Sequence, residues 1–252
     1  GDEPVQESDE ALQLIASLDA SYPALELTTL PARVAVTELK RRWEAWSDPD
    51  LRPGKPLVSA PAPAVPAFIE PLPIAQAVNR GIATHRFCQL VDLARPCDAA
   101  DLAAQHRFLR EAGRLTEAEA SAVLLDDVAW FFSTALGHHI RKHAARARRE
   151  IAFLSRITPD RYEPMVTSLD PRDVILVRGT VDVLLCHEDH LELVDYKTDA
   201  IPYEDCVERS KLYREQLDNY AKALHGIFQR PVVGRWLVFL QGRCIVDLAA
   251  PT

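Results

Sequence analysis

The sequence has no uninterrupted apolar run near the roughly 18 residues that a membrane-spanning helix needs, and no signal-peptide pattern opens it. It has no CxxC pair; the five cysteines (Cys88, Cys97, Cys186, Cys206, Cys244) are odd in number and widely scattered. That excludes a disulfide framework and a zinc or iron–sulfur cage, and reads as reduced thiols of a cytosolic chain. Methionine occurs once, at Met165, so Gly1 stands without an initiator, as expected of a segment of a longer protein. Residues 1–30 contain no Lys or Arg and hold seven acids. The net charge of −8 therefore comes almost entirely from this lead-in, since the other 222 residues carry 30 acids against 29 bases. A nearly neutral body leaves nucleic acid open as a partner.

What is present is enough apolar material for one or two domains, with 48% hydrophobic and 26% charged residues over 252 positions. Residues 1–48 read as an acidic lead-in ending in a short helix, with Thr37 as N-cap before Glu38-Leu39-Lys40. Residues 49–73 hold eight of the 18 prolines, an extended linker or arm because proline lacks an amide donor and disfavours helix before it. Residues 74–252 form the main domain. Its first part, 74–149, has helical spacing, as in Val123, Leu124, Val128, Phe131, Phe132 and Leu136, punctuated by Pro96 and Gly113 into about three helices. Its second part, 150–252, turns to strands: Ile151 to Ile157, Val174 to Leu185 and Leu191 to Tyr196, then a helix from Tyr203 to Phe228, then strands near Val232 to Leu240 and Cys244 to Leu248. The expected fold is α/β, a central mixed sheet flanked by helices, with a helical region before the sheet.

The chemistry concentrates in Gly179-Thr180-Val181-Asp182 and Leu193-Val194-Asp195-Tyr196-Lys197. Side chains alternate along a strand, so Asp195 and Lys197 share a face, and a hairpin near Glu188-Asp189-His190 brings Asp182 beside them. A lone D-x-K is ordinarily a surface salt bridge. Here the charges interrupt apolar strands, where they are costly unless used. Two carboxylates and an ammonium suit metal-assisted phosphodiester hydrolysis: hard oxygens bind Mg²⁺ or Mn²⁺, and the lysine orients or deprotonates water or offsets phosphate charge. Gly179 permits a close backbone approach or a bulge just before Asp182. Gln216 and Tyr220, four apart on a helix, share one face. His138, His139 and His143 form a further cluster. His139 and His143 have metal-ligand spacing but no convincing third ligand, so this stretch reads as a solvated basic face. Arg141, Lys142, Arg146, Arg148 and Arg149 on that face could grip a DNA backbone.

The combination resembles the PD-(D/E)XK nucleases, and within them the RecB-like branch found at the C-terminus of AddA-type bacterial helicase–nucleases. Gly81-Ile82-Ala83-Thr84-His85-Arg86-Phe87 resembles its helical histidine motif, Gln216-Leu217-Asp218-Asn219-Tyr220 its Q-x-x-x-Y motif, and Val36-Thr37-Glu38-Leu39-Lys40 the segment preceding the domain. The resemblance covers roughly residues 34–248 and implies a restriction-endonuclease-like core. It implies His85, Asp182, Asp195 and the Tyr196 carbonyl as metal ligands, Lys197 as catalytic lysine, Gln216 and Tyr220 orienting substrate or lysine, and Glu150 in support. It further implies single-stranded DNA as substrate, with a second nuclease subunit plus the rest of a parent helicase chain for partners. The setting it implies is the bacterial cytoplasm, in double-strand-break repair. Val181 stands where the family often has proline. No G-x-x-x-x-G-K-[ST] loop occurs, so no nucleotide cofactor is expected, and the four-cysteine pattern of some relatives is missing, so no iron–sulfur cluster. The competing reading is an inactive DNA-binding or subunit-interaction module of such a complex.

Overall fold

The computed structural model describes residues 25–47, 73–166 and 170–249. The acidic lead-in before residue 25 and most of the proline-rich segment lie outside them. The described chain falls into two compact units. Of the described residues, the smaller comprises 25–34, 156–166 and 170–177, and in it Val34, Tyr162, Val166, Ile175 and Val177 are buried. It includes a helical turn, α7 (Pro159–Tyr162), which the sequence pattern does not predict.

Of the described residues, the larger unit comprises 35–47, 73–155 and 178–249. Helix α1 (Val36–Ser47) opens it, with Thr37 one residue inside the helix rather than at its cap. Five helices follow among the described residues where the sequence predicts about three: α2 (Pro73–Leu90), α3 (Ala99–Glu111), α4 (Glu117–Ala122), α5 (Leu125–Ser133) and α6 (Ala135–Lys142). Local capping makes the extra breaks. Thr116 and Glu119 form a reciprocal capping box that starts α4, and the Thr134 hydroxyl accepts from the Gly137 amide at 3.1 Å to start α6. A Cβ on Gly137 would lie 2.3 Å from the Phe131 carbonyl oxygen, so the α5–α6 corner is as tight as it is because residue 137 has no side chain.

Among the described residues, six strands make one mixed sheet: β1 (Arg33–Ala35), β2 (Ala147–Ile157), β3 (Ile175–Cys186), β4 (Leu191–Lys197), β5 (Val232–Phe239) and β6 (Cys244–Asp247). The order is β1-β3-β4-β5-β6, with β2 paired to β3 off that path. The β3–β4 and β5–β6 pairs are antiparallel, and β4–β5 is parallel. The long helix α8 (Cys206–Phe228) is the crossover that a parallel pair requires, and it packs along β5 and β6.

Alternation divides the sheet's two faces. Val183, Leu185, Val194, Tyr196 and Val238 point to one face and join Phe87, Val128, Phe131, Phe132 and Ile140 from the helices in one buried cluster. Each such fully buried large side chain contributes about 1.5–3 kcal/mol. The opposite face, under α8, carries Asp182, Asp195 and Lys197.

Candidate active site

The β3–β4 register pairs Val183 with Val194 and Leu184 with Leu193, which carries Asp182 opposite Asp195 on one face. The Tyr196 amide donates to Asp182 Oδ2 at 2.6 Å, locking that carboxylate across the ladder. Lys197 Nζ lies 2.5 Å from Asp195 Oδ2. That ammonium is the partner of Asp195 Oδ2 in a place closed to water. Asp195 is only 3% exposed, so its charge depends on that ammonium, or on a cation, for compensation.

His85 reaches this spot from α2, its Nδ1 donating to Asp182 Oδ1 at 3.2 Å. The approach of α2 to the end of β4 depends on Gly81, where a Cβ would stand 2.8 Å from the Thr198 hydroxyl. Glu150 arrives from β2 with φ of +53°, a left-handed conformation unusual for a residue with a side chain. Such strain, about 1–3 kcal/mol, concentrates at functional sites. Glu150, His85 and Asp182 each offer a ligand atom, all within 4.8 Å of one another. Glu150, to which the family resemblance gives only a supporting part, thus stands inside the cluster, whereas Asp195 adjoins it as the cross-strand neighbour of Asp182. Two oxygen donors and one imidazole, with the Asp195 carboxylate beside them, fit a hard divalent cation.

The electrostatics follow from burying three carboxylates beside one ammonium. Burial pushes the Asp195 carboxyl up; Lys197 pulls it down and the Asp182 charge pushes it up again, leaving it above the ordinary carboxylate range. Burial pushes Lys197 down, but Asp195 and Asp182 outweigh this and hold its ammonium above the usual lysine value. Burial lowers His85, yet its hydrogen bond to Asp182 and that carboxylate's charge raise it overall. Glu150 is raised by burial and then by Asp182.

On α8, Gln216 Nε2 donates to the Tyr220 hydroxyl at 2.8 Å, and both side chains are buried. Burial, then the Asp195 charge, raises the Tyr220 phenol. Tyr220 packs edge-on against Phe153 at 5.3 Å, and the two rings cover Gly179, where a Cβ would lie 2.5 Å from the Phe153 ring. The close approach at Gly179 is therefore made by aromatic side chains. Sequence reasoning misses Tyr213, whose ring centroid lies 4.6 Å from Lys197 Nζ and whose hydroxyl donates to Asp199 at 2.7 Å. A signal for it exists: positions 213, 216 and 220 fall on one helical face.

The basic run does not form one helical face. Arg141 and Lys142 end α6, whereas Arg148 and Arg149 are on β2. Arg149 donates to the Cys88 carbonyl at 3.1 Å and to the Val91 carbonyl, holding the C-terminal end of α2. Arg141 donates to the Arg95 carbonyl at 3.1 Å. Lys142, Arg146 and Arg148 are exposed. A cleft of about 470 Å³ opens beside the site, lined by Gly81, Ile82, His85, Arg86, Gln89 and Glu150.

Among the described residues, no helix is long and apolar enough to cross a membrane. Residues 65–248 match the family model described as PD-(D/E)XK nuclease superfamily. The chain is 34% identical over 225 residues (88% of its length) to the ATP-dependent helicase/nuclease A subunit of Moorella thermoacetica. It is 33% identical over 265 residues (98%) to the protein of that name in Lacticaseibacillus paracasei, and 31% over 229 residues (91%) to that of Desulforudis audaxviator. It spans only 15%, 20% and 18% of those relatives' own lengths. A family match over most of the chain, on a mixed sheet that presents Asp182, Asp195 and Lys197 together, places this protein in the PD-(D/E)XK nuclease superfamily.

Proposed function

We propose that this chain is a divalent-metal-dependent DNA nuclease that hydrolyses phosphodiester bonds, the nuclease module of a bacterial helicase–nuclease acting in double-strand-break repair. The observation that carries the reading is charge imbalance in a largely buried place: three carboxylates, Glu150, Asp182 and Asp195, gather with one lysine and one histidine. Such an arrangement is costly without a cation to balance it. His85, Glu150, Asp182 and Asp195, with the Tyr196 carbonyl, would hold Mg²⁺ or Mn²⁺. That ion, when bound, polarises a phosphoryl oxygen and lowers the pKa of water.

The chain's own groups do the rest. Lys197, kept protonated by its two carboxylate neighbours, presents its ammonium to phosphate oxygens as their charge grows, and the Tyr213 ring limits its movement. Gln216 and Tyr220 brace the same face and orient the lysine or the substrate. The cleft beside His85 and Glu150 admits a single strand, with Arg86 at its wall and Lys142, Arg146 and Arg148 as backbone contacts. Arg141 and Arg149, committed to carbonyls, position those elements. The 74–149 and 150–252 parts act as one nuclease domain. The remainder of a parent helicase chain delivers the strand, a second nuclease subunit completes the complex, and the setting is the bacterial cytoplasm.

End-labelled single-stranded DNA incubated with Mg²⁺ or Mn²⁺ tests this, beside Asp195→Ala and Lys197→Ala. The expected result is cleavage by the parent and losses of about 10²–10³-fold in each variant. DNA binding without cleavage by all three proteins would instead favour the inactive binding or subunit-interaction module.

A further inference from the structure

The spacing of the α6 histidines offers no third ligand along the sequence. The structure supplies one from the far end of the β3–β4 hairpin. His187 and His190 close its two-residue turn, the His187 amide donating to the His190 carbonyl at 3.0 Å, and their rings stack at 4.3 Å. Glu192 follows on β4. His139, from α6, reaches over so that its Nε2 lies 2.7 Å from Glu192 Oε2, and His187 Nε2 lies 3.4 Å from the same oxygen. His139, His187 and Glu192 each offer a ligand atom, all within 4.8 Å of one another. His138 takes no part; it lines a separate cavity with Pro96, Asp126 and Arg243.

Two observations separate this cluster from a solvated basic face. Glu192 and His187 are only 9% and 7% exposed, so an acid and a base meet where water is scarce, with His139 at the rim. His187 Nε2 is also a buried side-chain nitrogen without a hydrogen-bond partner, aimed into the cluster. A buried, unpartnered imidazole nitrogen facing a carboxylate and a second imidazole is the donor arrangement of a zinc site.

We propose that His139, His187 and Glu192 bind a Zn²⁺-class cation that clips the β3–β4 turn to α6. Two imidazoles and one carboxylate match the ligand set of three-ligand zinc centres. Ligand atoms bonded at about 2.0–2.1 Å in a tetrahedral site stand ~3.4 Å apart. The His187–Glu192 separation already has that value, and the His139–Glu192 separation needs to widen by less than about 1 Å to reach it. A fourth position opens on a cavity of about 520 Å³ lined by His139, Glu192, Thr134, Leu136, Trp236 and Ile245. One group opposes binding. Arg146 Nη1 lies 3.2 Å from His187 Nδ1 and donates to it, which puts the neutral ring's proton on Nε2. Metal binding moves that proton to Nδ1 and displaces Arg146, an exposed side chain otherwise paired only loosely with Glu188 at 4.0 Å. Removing the arginine therefore strengthens the site.

The site is separate from the nuclease centre in position and chemistry. Glu192 is five residues from Lys197 along β4, about 17 Å. Parity in the ladder puts Glu192, His187 and His190 on the face opposite Asp182 and Asp195. Calorimetric titration of Zn²⁺ into the metal-free full chain carrying Asp182→Asn, which disables the nuclease centre, tests the proposal. One equivalent of Zn²⁺ is expected to bind, with affinity at least about tenfold weaker in the added His139→Gln or Glu192→Gln and stronger in Arg146→Ala. Co²⁺ in place of Zn²⁺ is expected to give the visible bands of a four-coordinate ion, absent in His139→Gln. Circular dichroism distinguishes a lost ligand from a lost fold, and His139, on the rim, is the variant that should keep the fold. No Zn²⁺ uptake by the Asp182→Asn chain, or equal uptake by folded His139→Gln, would overturn the proposal.

Discussion

The two ends of the β3–β4 hairpin each gather buried ionisable groups, and they do so with different chemistry on opposite faces of one sheet. At the open end, Asp182, Asp195 and Lys197 face α8, with His85 and Glu150 brought in from α2 and β2. At the turn end, His187 and Glu192 meet His139 of α6 on the other face. At the open end the Lys197 ammonium holds Asp195 Oδ2, whereas at the turn end His187 Nε2 is buried without a hydrogen bond. Oxygen donors with a lysine suit hard cations and phosphate; two imidazoles with one carboxylate suit zinc. A rigid antiparallel pair can thus hold two unlike sites, because alternation separates their faces and strand length separates their positions.

The largest effect that could break this comparison is catalytic. Asp195→Asn keeps the shape of the open end and removes its charge, and a loss of about 10²–10³-fold in single-strand cleavage is expected in a gel assay with Mg²⁺. Next comes a crossed metal response. A saturating ion at about 100 times its Kd stabilises a fold by about 2.7 kcal/mol. Mn²⁺ should raise the melting temperature of His139→Gln but not of Asp182→Asn, and Zn²⁺ that of Asp182→Asn but not of Asp182→Asn with His139→Gln added. If both metals acted through the same variant, the two ends would be one site.

Two glycines sharpen the contrast in packing. Gly137→Ala at the turn end meets backbone and should cost about 2–3 kcal/mol in a denaturant titration, shifting α6 and with it His139. Gly179→Ala at the open end meets the Phe153 and Tyr220 rings, which can yield in part, and should cost about 1–2 kcal/mol. Glu150→Gly relieves the left-handed backbone and should stabilise the metal-free protein by about 1 kcal/mol while weakening cleavage.

The smallest effect is a pH dependence. Burial and Asp182 raise the Glu150 carboxyl above its ordinary 4.5, so the folded chain holds that proton more tightly than the unfolded one. The stability tied to it is fully present below that value and is lost as pH rises through the raised folded pKa. Glu150→Gln removes this loss. In melts with chelator, parent and variant should run parallel in acid, with the parent falling behind toward neutral pH.

Much of the open end is legible in the sequence because strand alternation and helical periodicity are local. Asp195-x-Lys197 declares a shared face, a short hairpin returns Asp182 to it, and Gln216 with Tyr220 shares a helix face whatever that helix touches. The five-helix division is less legible, since capping by Thr116 and Thr134 interrupts an apolar periodicity that runs through Val123 to Leu136 without a break. The histidines on α6 read as solvent-facing because their neighbours in sequence are arginines. The groups that decide their environment, His187 and Glu192, are about fifty residues away.

The sequence by itself determined the α/β class, the order of the strands flanking α8, and the convergence of two carboxylates and a lysine, all of which follow from periods of 2 and 3.6 residues along the chain. Only the tertiary structure decided that Glu150 turns inward through a left-handed residue, that Tyr213 lies against Lys197, and that His139 meets the hairpin turn. Those contacts depend on strand register and on where helices cross the sheet. Both are set by the packing of side chains far apart in sequence, which no local spacing encodes.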